Sequence, residues 1–294
     1  VHRALRGRMP PYFVFPHGML DPWFRRAHPL KHAKKWAYWQ LCERRVLRDA
    51  AAVLFTCEQE RRLARRTFRP YRCREQVVAY GTARPAGDPA RADAAWAERS
   101  VALGGRPFLL FLGRLHPKKG PDLLLQAYGR LAAAEAHPPA LVMAGPCGDP
   151  AYGAALGRAA AALPRSCAVF WPGMLEGDAK WGALRAAEAF VLPSHQENFG
   201  LAVVEALAAG TPVLISRQIN IWDEIEAAGA GLADADDAGG TLRLLVRWNT
   251  LPPPEKARMR RNAAALFQER YDIGRVARSL VATVAPFLSV PAFA

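Results

Sequence analysis

A chain of 294 residues, 51% hydrophobic and 22% charged, is long enough for two domains with cores of their own and too apolar for a disordered one. No apolar run approaches the roughly 18 residues of a bilayer span, no signal peptide opens the chain, and five cysteines without a C-x-x-C pair predict a reduced, cytoplasmic protein rather than a disulfide scaffold. The formal charge of +14 is uneven: residues 1–85 carry 19 Lys/Arg against 6 Asp/Glu, and the rest is nearly balanced, which predicts an anionic partner for the first third, whether membrane surface, nucleic acid or acidic acceptor.

PYFVFPHGML (11–20) predicts a strand running into a loop at His17-Gly18. Residues 28–50 predict one helix, with Trp36, Trp39, Val46 and Ala50 at helical spacing and Lys31, Lys34, Lys35, Arg44, Arg45 and Arg48 elsewhere. Such a helix either lies on an anionic bilayer or turns both tryptophans into a core under a basic rim. AAVLFTC (51–57) reads as a strand, 58–68 as a helix and 76–82 as a strand. Ala83 to Gly105, rich in Pro and Gly, reads as an interdomain linker with a short helix at 94–99. From Pro107 onward strands and helices alternate at the spacing of a doubly wound parallel sheet, with AFVLPS (189–194) as a buried strand and 200–209 as a helix ended by Gly210.

The last of these units holds Glu197 and Glu205, eight residues apart around a Gly-Leu helix start. On a helix that step is a little over two turns, so both carboxylates are expected to reach one ligand from the same side. The free N–H groups of the helix start favour an anion, and Gly200 allows close approach to the backbone. A polyhydroxylated anion fits both features. Glu205, between Val204 and Ala206 in an apolar helix, is expected to serve a buried ligand, since an unpaired charge there is costly. Earlier in the chain, Gly113-Arg114 follows a strand and Lys119-Gly120 opens a helix. Arg114 would fork onto phosphate oxygens while Lys119 acts as a point charge.

SHQENFGLAVVEALAAGTPV (194–213) resembles the nucleotide-sugar site of glycosyltransferase family 4, the group 1 retaining enzymes with the GT-B fold. FLLFLGRLHPKKGPDLLLQAY (108–128) looks like that family's phosphate-binding segment, and ALVMAGP (140–146) and AVFWPGML (168–175) lie between in the family's order. The match is strong from about Pro107 onward and looser from His17 to Arg84. It implies two Rossmann-like domains facing a cleft: an acceptor-side domain at 1–85, a nucleotide-sugar domain at 86–275, and a C-terminal helix, 276–294, packing back on the first. It implies hexose transfer from a nucleotide diphosphate sugar to a glycan or polyprenyl-linked acceptor in cell-surface polysaccharide assembly. The setting would be the cytoplasmic membrane face, with no metal and no nucleic acid.

By the same resemblance Glu197 contacts the sugar and Glu205 the ribose hydroxyls. Gly113, Arg114 and Lys119 meet the diphosphate, and Asn198, Phe199, Gly200 and Leu201 form the helix-start part of the site. Met174 and Leu175 lie beside the base, and His17 corresponds to the active-site histidine of the first domain. The chain departs from the family at QINIWDEI (218–225), where a Gly-Gly-x-x-Glu element is usual; Asn220, Ile221 and Trp222 are expected to offer backbone amides instead. A second departure is the start at Val1, which implies that about half of the first domain, with its glycine-rich first loop, is absent, and that donor binding outlasts transfer. Asp234-Ala235-Asp236 is formally a D-x-D metal motif but reads as an acidic surface loop. Ser194-His195, taken as neighbours on a strand, would point to opposite faces and make a poor hydrolytic pair. From a different class, a non-catalytic basic module binding membrane or nucleic acid remains the alternative.

Overall fold

The computed structural model describes residues 11–27, 29–84, 87–135 and 137–288. The chain divides into two compact units. One takes the described residues up to Gly81 together with those from Ile273; the other runs from Thr82 to Asp272.

The first unit is built on a three-stranded parallel sheet, β1 (Phe13–Val14), β2 (Ala52–Phe55) and β3 (Glu75–Val77), in that spatial order. Between β1 and β2 run α1 (Trp23–Ala27), α2 (Pro29–Tyr38), a π-helical turn (Trp39–Glu43) and α3 (Arg44–Asp49); α4 (Glu58–Ala64) follows β2. The helix predicted over 28–50 is thus interrupted by a wider turn. Trp39, at the start of that turn, is buried, whereas Trp36 in α2 is half exposed. β2 is covered on both sides: Val53 and Phe55 pack with Trp39, Leu47 and Phe68, and the alternate residues Ala52 and Leu54 pack with Val78.

The second unit opens with α5 (Pro89–Arg99), followed by β4 (Phe108–Leu112), α6 (Pro121–Ala134), β5 (Ala140–Ala144), α7 (Pro150–Ala161), β6 (Val169–Gly173), α8 (Gly177–Ala186) and β7 (Ala189–Leu192). It continues through α9 (Leu201–Ala208), β8 (Val213–Ser216), α10 (Trp222–Ala227), β9 (Gly231–Asp234), α11 (Ala238–Thr250) and α12 (Pro253–Leu266). All six strands are parallel, in the order β6-β5-β4-β7-β8-β9. β4, β5, β7 and β8 are buried along their whole length, which is why FLLFL, ALVMA, AFVL and VLIS read as unbroken apolar runs up to a final serine.

The stretch expected to be a linker belongs to this unit. Asp88 caps α5 through Ala90 N, and Pro89 stands in the first turn, so the helix begins five residues earlier than predicted. Its packing on α8 is close enough that a Cβ on Gly182 would fall 2.0 Å from Ala92 O. The last helix, α13 (Ile273–Leu288), lies in the first unit, where Leu280 and Phe287 pack against Ala52, Leu54 and Val78. No described helix is long and apolar enough to cross a membrane.

Candidate active site at the strand switch point

The order in which strands are added reverses between β4 and β7 while all six stay parallel, so the loops leaving these two strands run to opposite sides of the sheet and leave a crevice at their carboxyl ends. Both loops are tied down by backbone contacts. The Ser194 hydroxyl donates to Lys118 O at 2.9 Å, and His195 N donates to the same carbonyl at 2.8 Å. Gly120, with φ +69°, lies so near β7 that a Cβ would meet Pro193 O at 2.4 Å. The result is a crossed pair of side chains: Lys119 Nζ, from the loop after β4, lies 2.5 Å from Glu197 Oε1, from the loop after β7, with side-chain exposures of 20% and 15%.

Glu197 is not on a helix. α9 begins at Leu201, and Glu197 instead sits in a one-residue bridge with Ile219, its N–H donating to Gln218 O. The expectation that Glu197 and Glu205 reach one ligand as two turns of a helix is therefore corrected. Glu205 Oε1 accepts from Lys180 Nζ of α8 at 2.8 Å, and each carboxylate has its own lysine. The helix start at Gly200 (φ +82°) has no side-chain cap, which leaves it open toward an anion. Leu201 is exposed, while Phe199 is buried edge-on against Tyr271 at 5.6 Å, anchoring the turn, and Asn198 is half-buried.

Arg114 extends into solvent from the β4 loop, without an ion pair among the described residues. Gly113 N donates to Ala144 O, which joins the tips of β4 and β5. After β6, Met174 is exposed and its carbonyl accepts from Arg99, whereas Leu175 is buried. His17 belongs to the first unit, at the carboxyl end of β1. It is the only non-glycine described residue with positive φ (+46°), it stacks on Phe15 at 5.4 Å, and the following Gly18 N is held by the buried Glu60 carboxylate at 2.7 Å. A residue held in that sparsely populated region marks a constrained loop.

Two further expectations change. Asn220 N donates to Glu197 O and Trp222 N to Ile219 O, so two of the three amides proposed as phosphate donors are already used inside the chain. Ser194 and His195 lie in the loop beyond β7 rather than on it; His195 Nδ1 pairs with Asp236 at 2.8 Å, so the serine and histidine serve different partners. The other acid of the D-x-D element, Asp234, is gripped by Arg243. Lys180, which the sequence reading missed, lies 25 residues from the carboxylate it meets, and nothing in local spacing marks it.

Arg243 donates to Asp234 at 2.6 and 3.0 Å and, against the opposing effect of burial, holds that carboxyl below its usual range. A folded-state pKa below the unfolded value of about 3.9 means that the contribution is complete above that pH and disappears as pH falls through the lower folded value. Because Arg243 is more than half exposed, solvent screening keeps the expected size small. Urea unfolding of Arg243→Ala and the parent should differ at pH 6 and converge near pH 2; a pH-independent gap would refute this account.

Residues 94–265 match the family model of glycosyl transferases group 1, and residues 1–81 match that of a glycosyl transferase 4-like domain. The chain belongs to the group 1 glycosyltransferases. Similar curated proteins include a D-inositol 3-phosphate glycosyltransferase of Jonesia denitrificans, 29% identical over 236 residues, covering 75% of this chain and 54% of that one. The protein of the same name from Frankia alni is 38% identical over 180 residues, with 58% and 40% covered. The chain spans about half the length of the curated relatives it matches. Among solved structures, HepE of Anabaena in complex with UDP aligns over 94% of this chain and 72% of its own at 18% identity and TM-score 0.75. Sucrose-phosphate synthase of Thermosynechococcus elongatus aligns over 97% and 69% at 21% and 0.74. The parallel-sheet α/β fold is thus of the GT-B class.

Proposed function

We propose that the crevice between the β4 and β7 loops binds a nucleotide diphosphate sugar, and that the protein transfers its hexose, with retention of anomeric configuration, to an acceptor hydroxyl. The observation that carries this reading is the Lys119–Glu197 pair, a cation and a carboxylate presented from opposite sides of the switch point. Cleavage of a glycosyl phosphate leaves positive charge on the ring and negative charge on the departing diphosphate. Lys119 and Arg114 supply cations for the diphosphate, and the uncapped start of α9 adds amide donors. When phosphate draws Lys119 away, Glu197 is released to accept from sugar hydroxyls. Glu205 and Lys180 serve the ribose side.

HepE, similar in fold, has been solved with UDP and with UDP-glucose, which supports a uridine nucleotide as the first donor to test. For the acceptor, the sequence resemblance favours a glycan or polyprenyl-linked sugar of cell-surface polysaccharide assembly, at the cytoplasmic membrane face. The names of the relatives favour instead an inositol phosphate. No metal is assigned to the reaction, since the Asp234 and Asp236 carboxylates are engaged by Arg243 and His195. Calorimetric titration with UDP-glucose and other nucleotide sugars, with and without EDTA, tests this reading. Saturable binding indifferent to the chelator is expected; absence of binding by every donor, or its loss in EDTA, would overturn it.

A further inference from the structure

The first unit holds a basic cavity at the end of its sheet away from the His17 loop. α3 runs into the start of β2, and Arg72 precedes the start of β3, whereas His17 follows the carboxyl end of β1. Here a cavity of about 340 Å³ is lined by Arg44, Arg48, Pro70 and Arg72. Its charges are poorly balanced by the protein. Arg48 is held by Asp49 through two contacts, 2.7 and 3.2 Å. Arg44 gives its Nε to Gln40 O at 2.9 Å, and among the described residues nothing accepts from its two terminal nitrogens or from Arg72. The next acid along the chain, Glu75, is taken by Arg65 and Tyr71.

Three guanidinium groups against one carboxylate leave two positive charges facing one cavity. That excess matches a phosphate monoester, which carries about −1.5 to −2 near neutral pH, and planar guanidinium forks suit its oxygens. The walls are fixed before any ligand arrives. Trp39, buried and stacked on Phe68 at 5.0 Å, donates Nε1 to Pro70 O at 3.2 Å, and Gln40 Nε2 donates to Arg69 O at 2.6 Å. The π-helical turn that carries Trp39 and Gln40 therefore clamps the 69–72 loop against the helix bearing Arg44 and Arg48. A preorganised backbone wall lowers the ordering cost of binding.

The geometry points to a phosphate-monoester site built from Arg44, Arg48 and Arg72, separate from the donor crevice. Its ligand is either a soluble phosphorylated molecule or the headgroup of a phosphatidate-like lipid. The intact chain is titrated with phenyl phosphate by calorimetry and, in parallel, co-sedimented with phosphatidylcholine vesicles containing phosphatidate or, at matched charge, phosphatidylglycerol. Saturable binding is expected in at least one arm: phenyl phosphate binding identifies a soluble ligand, and binding to phosphatidate vesicles alone identifies a lipid headgroup. The Arg44→Gln/Arg72→Gln double variant should weaken it about tenfold or more, while Arg158→Gln, on the exposed face of α7, leaves it unchanged. Arg72→Lys keeps the charge and loses the fork, so a fall in affinity with an unchanged urea midpoint separates recognition from folding. No binding in either arm, equal binding to both anionic vesicles, or equal weakening by Arg158→Gln would overturn the proposal.

Discussion

Lys119→Ala is expected to weaken nucleotide-sugar binding by about 1.5 to 3 kcal/mol, roughly ten- to hundredfold, whereas Glu197→Gln is expected to bind donor at least as tightly and to turn it over about a hundredfold more slowly. The opposite signs follow from the ion pair. Glu197 holds Lys119 at 2.5 Å and would compete with a phosphate for it. Removing the carboxylate removes the competitor but also the group that would meet the sugar. The Ser194 hydroxyl, 2.9 Å from Lys118 O and 3.1 Å from Glu197 Oε1, has one proton to give and cannot replace the lysine. Calorimetry gives the affinities, and donor hydrolysis or transfer gives the rates. A pair that only braces the two loops would shift both affinities in the same direction, and that outcome would refute the assignment. Because both side chains are mostly buried, each single variant should also lose about 1 to 3 kcal/mol of stability, so affinities are compared only where unfolding curves show a folded chain.

How much of this was legible in the sequence differs between strands and contacts. The β4, β5, β7 and β8 runs are apolar because both faces are covered, and that local signal carried the parallel sheet and its order of elements, whereas the GT-B class came from the resemblance of the 108–128 and 194–213 motifs to a known family. Helix geometry at the site differs from the expectation, since the eight-residue step from Glu197 to Glu205 is helical only beyond Gly200, the left-handed residue before α9. Glu197 therefore hangs from a bridge to Ile219 and meets Lys119, 78 residues away, rather than sharing a face with Glu205. A partner that distant leaves no trace in periodicity. The same is true of Lys180 and of the buried Glu60 carboxylate that holds Gly18. Only the 94–99 half of α5 is legible as helix, because Pro and Gly crowd the residues before it, although Pro89 there marks a helix start and Gly182 makes room for that helix.

Two neighbouring glycines at the proposed donor crevice should respond differently to a single added methyl group. At Gly145, φ is +140°, and a Cβ would sit 1.9 Å from Gly113 O, an atom of backbone that cannot swing away. Strain and overlap add there, so Gly145→Ala should cost about 2 to 5 kcal/mol. Relief requires parting the tips of β4 and β5, which Gly113 N to Ala144 O now joins, and with them the loop that carries Arg114 and Lys119. Gly113 is different: an added Cβ meets nothing within 4 Å, and its φ is not in the left-handed range. Gly113→Ala should change stability by less than about 1 kcal/mol. If the donor diphosphate lies against this stretch of backbone, the open space seen by that Cβ is space the donor needs, and the variant should lose nucleotide-sugar affinity while keeping its urea midpoint. Gly145→Ala should lose both together. A Gly113→Ala chain that folds and binds donor like the parent would move the diphosphate away from the β4 tip. A Gly145→Ala chain of parental stability would mean that the close approach of β4 and β5 is not what fixes the crevice.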